Sequence, residues 1–175
     1  MNTYIALFRG INVGGKNILK MKDLTGILEA LRLGKIQTYI QSGNVVFQSA
    51  DNRTDTLANE IASSVCESHG FTPKVRLVER SELQDIIENC PFKAVEGKAL
   101  HCFFLDSEPV KPDLDGLMSV KLESEEIALR KRAFYLHAPD GIGRSKLAAK
   151  VERCLGVPVT ARNWNTVNKL MLMVE

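Results

Sequence analysis

The stretch from Gly10 to Lys16 has the spacing G-x-x-x-x-G-K that is typical of phosphate-binding loops. Such a loop holds phosphate with backbone N–H groups and the lysine, and the serine or threonine that follows binds Mg²⁺. Here Asn17 follows the lysine, and helical periodicity begins only near Lys22. We therefore do not interpret the stretch as a Walker A loop. It is either a loop that presents Arg9 and Lys16 to an anion or a turn whose glycines take positive φ angles.

The stretch YIQSGNVVF is typical of a β-hairpin. We interpret it as two strands joined by a two-residue turn, in which Gly43 and Asn44 supply the positive φ angles. In the alternative interpretation, Gln41, Ser42 and Asn44 offer polar contacts to a ligand at a sheet edge near the first loop.

The stretch GIGRSKL is predicted to open a helix with Ser145 as its cap. The free N–H groups of this helix, together with Arg144 and Lys146, suit a phosphate or carboxylate, and a helix terminus contributes about 0.3–1 kcal/mol to such binding. The alternative is an exposed basic amphipathic helix. Ser145 and Lys146 are adjacent on the predicted helix and do not face each other, so we do not interpret them as a catalytic pair.

The stretch TARNWNTVNKL is the densest polar cluster in the chain. Asn163 or Asn165 can cap the last helix. Trp164, beside Arg162, could equally be a stacking platform for a ring or a base. No nucleophile with an adjacent base stands out near these four stretches, so the sequence names no catalytic residue and leaves open whether the protein is an enzyme.

The elements that must position these residues alternate along the chain. Apolar periodicity and turn residues predict an α+β fold of two ferredoxin-like subdomains, each of the β-α-β-β-α-β type with a mainly antiparallel sheet, at residues 1–80 and 81–175 and joined near residues 80–98. The predicted strands are 3–8, 36–41, 45–48, 74–78, 100–105, 126–131, 133–137 and 157–161. The first predicted helix begins near residue 22. The other predicted helices span residues 54–69, 81–90, 112–118, 145–155 and 166–174.

The composition is that of an ordinary globular protein, with 45% hydrophobic and 25% charged residues among 175. No apolar stretch approaches the roughly 20 residues of a membrane span, so we expect a cytoplasmic protein with no membrane partner. The four cysteines, Cys66, Cys90, Cys102 and Cys154, show no C-x-x-C pairing. We expect buried free thiols and no metal site.

The net charge of +2 hides a segregation of charge. Residues 1–22 contain four basic and no acidic residues, and residues 141–175 contain six basic and two acidic ones, so each end carries +4. The middle then carries 2 − 4 − 4 = −6. If the two ends meet, they form a positive field that favours an anionic ligand; the alternative is a set of solvated lysines on unrelated faces.

The four stretches, taken together, resemble the signature blocks of a widespread bacterial family known as domain of unknown function 1697. The resemblance spans nearly the whole chain and implies two ferredoxin-like α+β subdomains, without implying an activity. It also indicates which polar positions belong to the signature: Arg9, Asn12, Lys16, Asn17, Gln41, Ser42, Asn44, Arg144, Ser145, Lys146, Arg162, Asn163, Trp164 and Asn165.

The sequence thus predicts a protein that binds an anionic, phosphate-bearing, nucleotide-like small molecule at one composite site from both chain ends. One alternative is an RNA-binding protein in which Tyr4, Phe8 and Phe47 lie on an open sheet face. Another is a protein-interaction module with no small-molecule site. The sequence assigns no cofactor and no oligomeric state. The predicted ligand-binding residues are Arg9, Asn12, Lys16, Asn17, Gln41, Asn44, Arg144, Ser145, Lys146, Arg162, Asn163, Trp164 and Asn165.

Overall fold

The structure, a computed structural model, describes residues 1–93 and 95–175. The chain forms two compact units, one of residues 1–84 together with 170–175, and one of residues 85–169. The predicted connection at residues 80–98 includes Ala94, which lies outside the described residues. Part of it is a helix, α3, at Arg80–Glu88. That helix begins one residue before the predicted start at Ser81.

The first unit is an α+β structure with a four-stranded antiparallel sheet in the order β2-β3-β1-β4. Two helices join the strands, and the element order is β-α-β-β-α-β. Its elements are β1 (Asn2–Arg9), α1 (Met21–Ala30), β2 (Gly34–Tyr39), β3 (Asn44–Ser49), α2 (Thr54–His69) and β4 (Lys74–Glu79).

Alternation along β1 places the side chains of Tyr4 and Phe8 on the face that packs against α1 and α2. Both are about 1% exposed, and they contact a core that includes Leu24 of α1 and Ile61 of α2. The side chain of Leu7, which points to the opposite face of the sheet, is also buried. β1 is therefore buried on both faces, which explains why its sequence is a continuous apolar run rather than an alternating one.

The second unit repeats this arrangement with a four-stranded antiparallel sheet in the order β6-β7-β5-β8. Its core lies between the sheet and the helical segments and contains Phe103, Phe134 and Leu147. Its elements are β5 (Leu100–Leu105), α4 (Leu114–Met118), β6 (Glu126–Arg130), β7 (Ala133–His137), α5 (Val151–Leu155) and β8 (Val159–Asn163), followed by α6 (Trp164–Val174).

The described residues contain six α-helices and eight strands, and α2, β5 and β7 have the predicted bounds. Gly70 ends α2 in the left-handed conformation, with φ of 76°. The predicted helix 145–155 is too long, because Ala148–Lys150 is a 3₁₀ turn and only Val151–Leu155 is α-helical. Within the described residues, no helix is both long enough and apolar enough to cross a membrane.

Candidate functional site

The glycine-rich loop after β1 is built around a tight turn. The backbone N–H of Lys16 donates to the carbonyl of Val13 at 3.1 Å, and these two residues form an isolated β-bridge. Gly14 and Gly15 take φ angles of 60° and 71°, as the central residues of a type I′ turn require. Lys16 is exposed at this turn. The glycines thus serve the turn, and the turn presents the lysine to solvent.

Two asparagine side chains fix the loop. Asn12 Nδ2 donates to the carbonyls of Leu19 and Gln41, both at 2.8 Å, and its Oδ1 accepts the N–H of Leu19 at 2.8 Å. Asn17 Nδ2 donates to the carbonyl of Gly10 at 2.9 Å. Asn12 therefore joins the loop to the β2–β3 hairpin, and both amides hold the loop in one conformation.

The β2–β3 hairpin differs from the prediction. Its loop has four residues, from Ile40 to Gly43, and the positive φ angles are at Ile40 (51°) and Gly43 (85°), so the two-residue turn is wrong. Asn44 begins β3 and is fully buried, and its Nδ2 donates to the carbonyl of Tyr39 at 3.1 Å and to Ser42 Oγ at 3.0 Å. Asn44 is a structural residue of the hairpin, whereas Gln41 and Ser42 are exposed.

These segments meet at one end of the first sheet, which we call the basic end and define as residues 9–22, 40–44 and 70–74. Strand pairing places Arg9 opposite Lys74, so the end of β1 and the start of β4 lie side by side. The start of α1 lies there too, since Asp23 Oδ2 is 3.5 Å from His69 Nε2 at the end of α2. The three segments contain no acidic residue and five basic ones: Arg9, Lys16, Lys20, Lys22 and Lys74.

In the second unit, GIGRSKL does not open an α-helix. Ile142–Arg144 is a 3₁₀ turn, and Ser145 is buried, with its Oγ accepting the N–H of Ala148 at 3.0 Å. The Ser145 hydroxyl therefore accepts the first N–H of the 3₁₀ turn Ala148–Lys150, and no long helix begins there. Arg144 and Lys146 are exposed on either side of it.

Asn163 is the cap of α6, and it is one of the two capping residues that the sequence predicted. Its Oδ1 accepts the backbone N–H of Thr166 at 2.9 Å. Trp164 donates its backbone N–H to the carbonyl of Gly97 at 3.1 Å, and its ring lies edge-on to Tyr135 with centroids 6.2 Å apart. Asn165 is exposed, and a Cβ on Gly97 would lie 2.0 Å from its Oδ1. The Gly97 backbone is thus in close contact with the start of α6.

Arg162 lies in β8 and not in a loop. It is paired with Cys102, which is paired with Tyr135 on the other side, so these three side chains form a row on one face of the second sheet. Burial lowers the pKa of Arg162 to about 10. Burial, and then the thiols of Cys102 and Cys90, raise the pKa of Tyr135. A cation in such surroundings is costly to desolvate.

All four cysteines are free thiols, of which Cys90 and Cys102 are buried and Cys66 and Cys154 are half-buried. Within the described ranges, no group of three or more His, Cys, Asp or Glu side chains is arranged to hold a metal ion.

A family model described as "Protein of unknown function (DUF1697)" matches residues 1–135 of the chain. The chain belongs to the DUF1697 family. The first two signature stretches lie within this match, whereas GIGRSKL and TARNWNTVNKL begin after its end, so the family match is shorter than the resemblance predicted.

A solved structure of a conserved bacterial protein, SP0830 from Streptococcus pneumoniae, is similar to this DUF1697 chain. The two chains are 26% identical, the similarity covers 99% of each, and the TM-score is 0.69. No curated protein matches the sequence.

Sequence reasoning did not find three residues near the signature positions of this DUF1697 protein. Lys74 is brought beside Arg9 by strand pairing, Gly97 contacts the start of α6, and His101 is paired with Asn163. None belongs to a sequence motif, so only the register of the strands in the two sheets could have indicated Lys74 and His101.

Proposed function

We propose that each unit has the ferredoxin-like fold. The order β-α-β-β-α-β in both units supports this, and so does the sheet order, in which the first and third strands of each unit are central. We further propose a cytoplasmic bacterial protein, in keeping with the bacterial source of the similar solved structure.

We propose that the protein binds an anionic, phosphate-bearing small molecule of the nucleotide type at the basic end of the first unit. The observation that carries this proposal is the convergence of five basic residues from three segments far apart in the chain, bordered by one acidic residue, Asp23, which lies 3.5 Å from His69. Exposed unit charges interact by only about 1 kcal/mol at 4 Å in water, so several must act together on one anion. A ligand with more than one negative charge, such as a phosphate ester, meets that requirement best.

The hydrogen bonds of Asn12, Asn17 and Asn44 support the same proposal in a different way. They hold the loop and the hairpin in fixed conformations before any ligand binds. A site that is already ordered loses less conformational entropy on binding, which favours affinity. In this proposal the lysines and Arg9 attract the anion, and the exposed Gln41 and Ser42 donate hydrogen bonds to it.

The proposal concerns the first unit alone. The prediction that Arg144, Lys146, Arg162, Asn163, Trp164 and Asn165 bind the same ligand stays a prediction, as does the interaction module. RNA binding also stays a prediction, but not through Tyr4, Phe8 and Phe47, which are at most 1% exposed in the core beneath α1 and α2 and are not available to stack on bases.

The test is thermal unfolding in the presence of inorganic phosphate, ADP and a short single-stranded RNA. A ligand at about a hundredfold its Kd stabilises the folded state by about 2.7 kcal/mol. We expect ADP to raise the melting temperature of the wild-type protein and of Lys35→Gln, and to have a much smaller effect on Lys16→Gln. Lys35 is an exposed lysine at the opposite end of the same sheet, where β2 pairs with the end of β3.

Equal responses of the two lysine variants, or no response to any phosphate compound, would contradict the proposal. A response to RNA alone that disappears steeply with added salt would identify a nucleic-acid partner instead, because counterion release dominates such binding.

A further inference from the structure

Large apolar side chains are exposed mainly in two places. Apart from Met1 and Leu172 near the chain termini, the exposed ones of the described residues fall into two groups, one in each unit. The first group is Val13, Ile18 and Ile40; the second is Val110, Leu114, Met118 and Leu122. Single exposed apolar residues are ordinary, whereas groups of them mark interaction surfaces.

The first group forms one patch at the basic end. The Asn12 side chain is hydrogen-bonded to Leu19 and Gln41, and each member of the group is the sequence neighbour of one of these three residues. Val13 follows Asn12, Ile18 precedes Leu19, and Ile40 precedes Gln41. The exposed fractions of the three are 69%, 54% and 51%. The exposed Lys16 and Lys20 lie in the same loop. We call Val13, Ile18 and Ile40 with these two lysines the basic patch.

The second group lies on and around the short helix α4. Leu114 and Met118 are four residues apart and so share one face of α4, while Leu117 is fully buried against the second core. Val110 is 99% exposed just before the helix, and Leu122 follows it. The exposed acidic residues of this segment are Asp106, Glu108, Asp113, Asp115, Glu123 and Glu126.

The same segment also contains two lysines, which are fewer than its exposed carboxylates. Lys121 donates its Nζ to the carbonyls of Leu122 and Glu125, so its charge is held against the backbone, and Lys111 is exposed. Two arginines from other segments border this segment, since Arg132 donates to the Asp106 carbonyl and the exposed Arg153 is next to Cys154, whose carbonyl accepts the Asp113 N–H. The segment itself is apolar at α4 and carries a net negative charge around it. We call residues 106–126 the acidic patch.

We propose that the basic patch of one copy of this chain docks on the acidic patch of a second copy. Each patch has an apolar centre that water hydrates poorly, and the charges around the two centres are opposite in sign. Apolar centres supply affinity in protein interfaces, and complementary surrounding charges supply orientation and rate of association. No other pair of exposed apolar groups within the described residues offers this match.

The contact joins two different surfaces, so each copy offers one basic and one acidic patch to other copies. Each patch holds three or four apolar side chains, fewer than stable interfaces bury, so the association is weak and depends on concentration. The proposal goes beyond phosphate binding, because the acidic patch has no part in that function.

Sedimentation velocity at several protein concentrations tests the proposal. At low salt, the average mass of the wild-type protein should rise above 19.5 kDa with concentration, and high salt should return it to that value. The variants Lys16→Glu/Lys20→Glu and Asp115→Lys/Glu123→Lys should each stay monomeric on their own. An equimolar mixture of the two should regain a mass of about two chains, because each supplies the surface that the other lacks.

Two further variants separate the apolar contribution from the charge. Ile18→Ser should abolish the association, and Leu172→Ser, which removes an exposed apolar side chain outside both patches, should leave it unchanged. Circular dichroism confirms that each variant is folded. The Asp115→Lys/Glu123→Lys variant should keep the response to ADP, so loss of self-association and loss of phosphate binding are distinguishable.

A wild-type protein that is monomeric at every concentration would overturn the proposal. So would self-association that survives both charge reversals, or a mixture of the two reversed variants that stays monomeric.

Discussion

Gly43 lies where the β2–β3 hairpin contacts the glycine-rich loop. A Cβ at this position would be 2.6 Å from both Phe8 Cβ and Ile11 Cδ1, and the backbone φ is +85°. The backbone N–H of Phe8 also donates to the Gly43 carbonyl at 2.9 Å. The glycine is therefore required for two independent reasons, close packing and a left-handed backbone.

We expect Gly43→Ala to lower the free energy of unfolding by about 2–4 kcal/mol, since overpacking and backbone strain add. Gly14→Ala is the matched control, because Gly14 has φ of +60° and no atom within 4 Å of an added Cβ. Gly14→Ala should lower the free energy of unfolding by about 1 kcal/mol, from backbone strain alone. Urea unfolding of both variants measures the difference, and equal losses would show that the Gly43 contacts are unimportant.

His101 is a buried histidine whose Nδ1 has no hydrogen-bond partner among the described residues. Burial lowers its pKa below the ordinary value of 6.5. As the pH falls below about 6.5, the unfolded chain therefore binds a proton that the folded protein binds less well. Stability from this residue is fully present above pH 6.5 and is lost as the pH falls, by up to about 1.4 kcal/mol per pH unit.

The test is urea unfolding of the wild-type protein and of His101→Gln between about pH 7.5 and pH 5. The wild-type free energy of unfolding should fall more steeply than that of the variant, because glutamine has no proton to bind in this range. Contributions from groups that the two proteins share cancel in the difference. Parallel curves for the two proteins would exclude a role of His101 in acid sensitivity.

At the scale of elements, apolar periodicity predicted positions better than conformations. Within the predicted helix 145–155, Leu147, Val151 and Leu155 recur every four residues and form a buried apolar stripe, since all three are at most 2% exposed. The backbone beneath it is a 3₁₀ turn followed by a single short helix, because Ser145 Oγ takes the Ala148 N–H. Side chains spaced four apart can reach a core from either backbone, so the stripe alone could not decide between them.

At the start of α6, by contrast, the sequence predicted the local structure correctly, because Asn163 caps the helix. Asn163→Ala should lower the free energy of unfolding by about 1 kcal/mol, because the Thr166 N–H loses its acceptor. Asn168→Ala is the control: Asn168 is exposed in the interior of the same helix, where alanine is the better helix former. Thermal unfolding should therefore show opposite shifts, and a loss of stability in the control would weaken the capping explanation.

At the scale of the whole molecule, both boundaries between the two units fall within helices. The first, between Gln84 and Asp85, lies inside α3, and the second, between Lys169 and Leu170, lies inside α6. The last residues of the chain thus belong to the same unit as the first. Leu170 is fully buried, whereas Leu172 is 65% exposed on the same helix.

We expect Leu170→Ala to lower the free energy of unfolding by about 2–5 kcal/mol, the usual range for a buried leucine. Leu172→Ala, the matched control, should change it by less than about 0.5 kcal/mol. Both can be measured by urea unfolding. A small effect of Leu170→Ala would mean that the C-terminal residues contribute little to the stability of the first unit.

The sequence by itself determined the order of the strands and helices and the bounds of α2, β5 and β7. These depend on periodicity and on backbone preference, which are properties of neighbouring residues. It also predicted that the first loop is not a Walker A loop, and the Val13–Lys16 turn agrees with that.

Only the tertiary structure decided which polar residues are available to a ligand. Asn12 bonds to Gln41, 29 residues away, so its amide fixes the site instead of remaining free. Lys74 joins the basic end through its pairing with Arg9, and Arg162 is half-buried within β8. Hydrogen-bond partners, strand register and burial connect residues that are distant in the chain, and no local pattern of residue types specifies them.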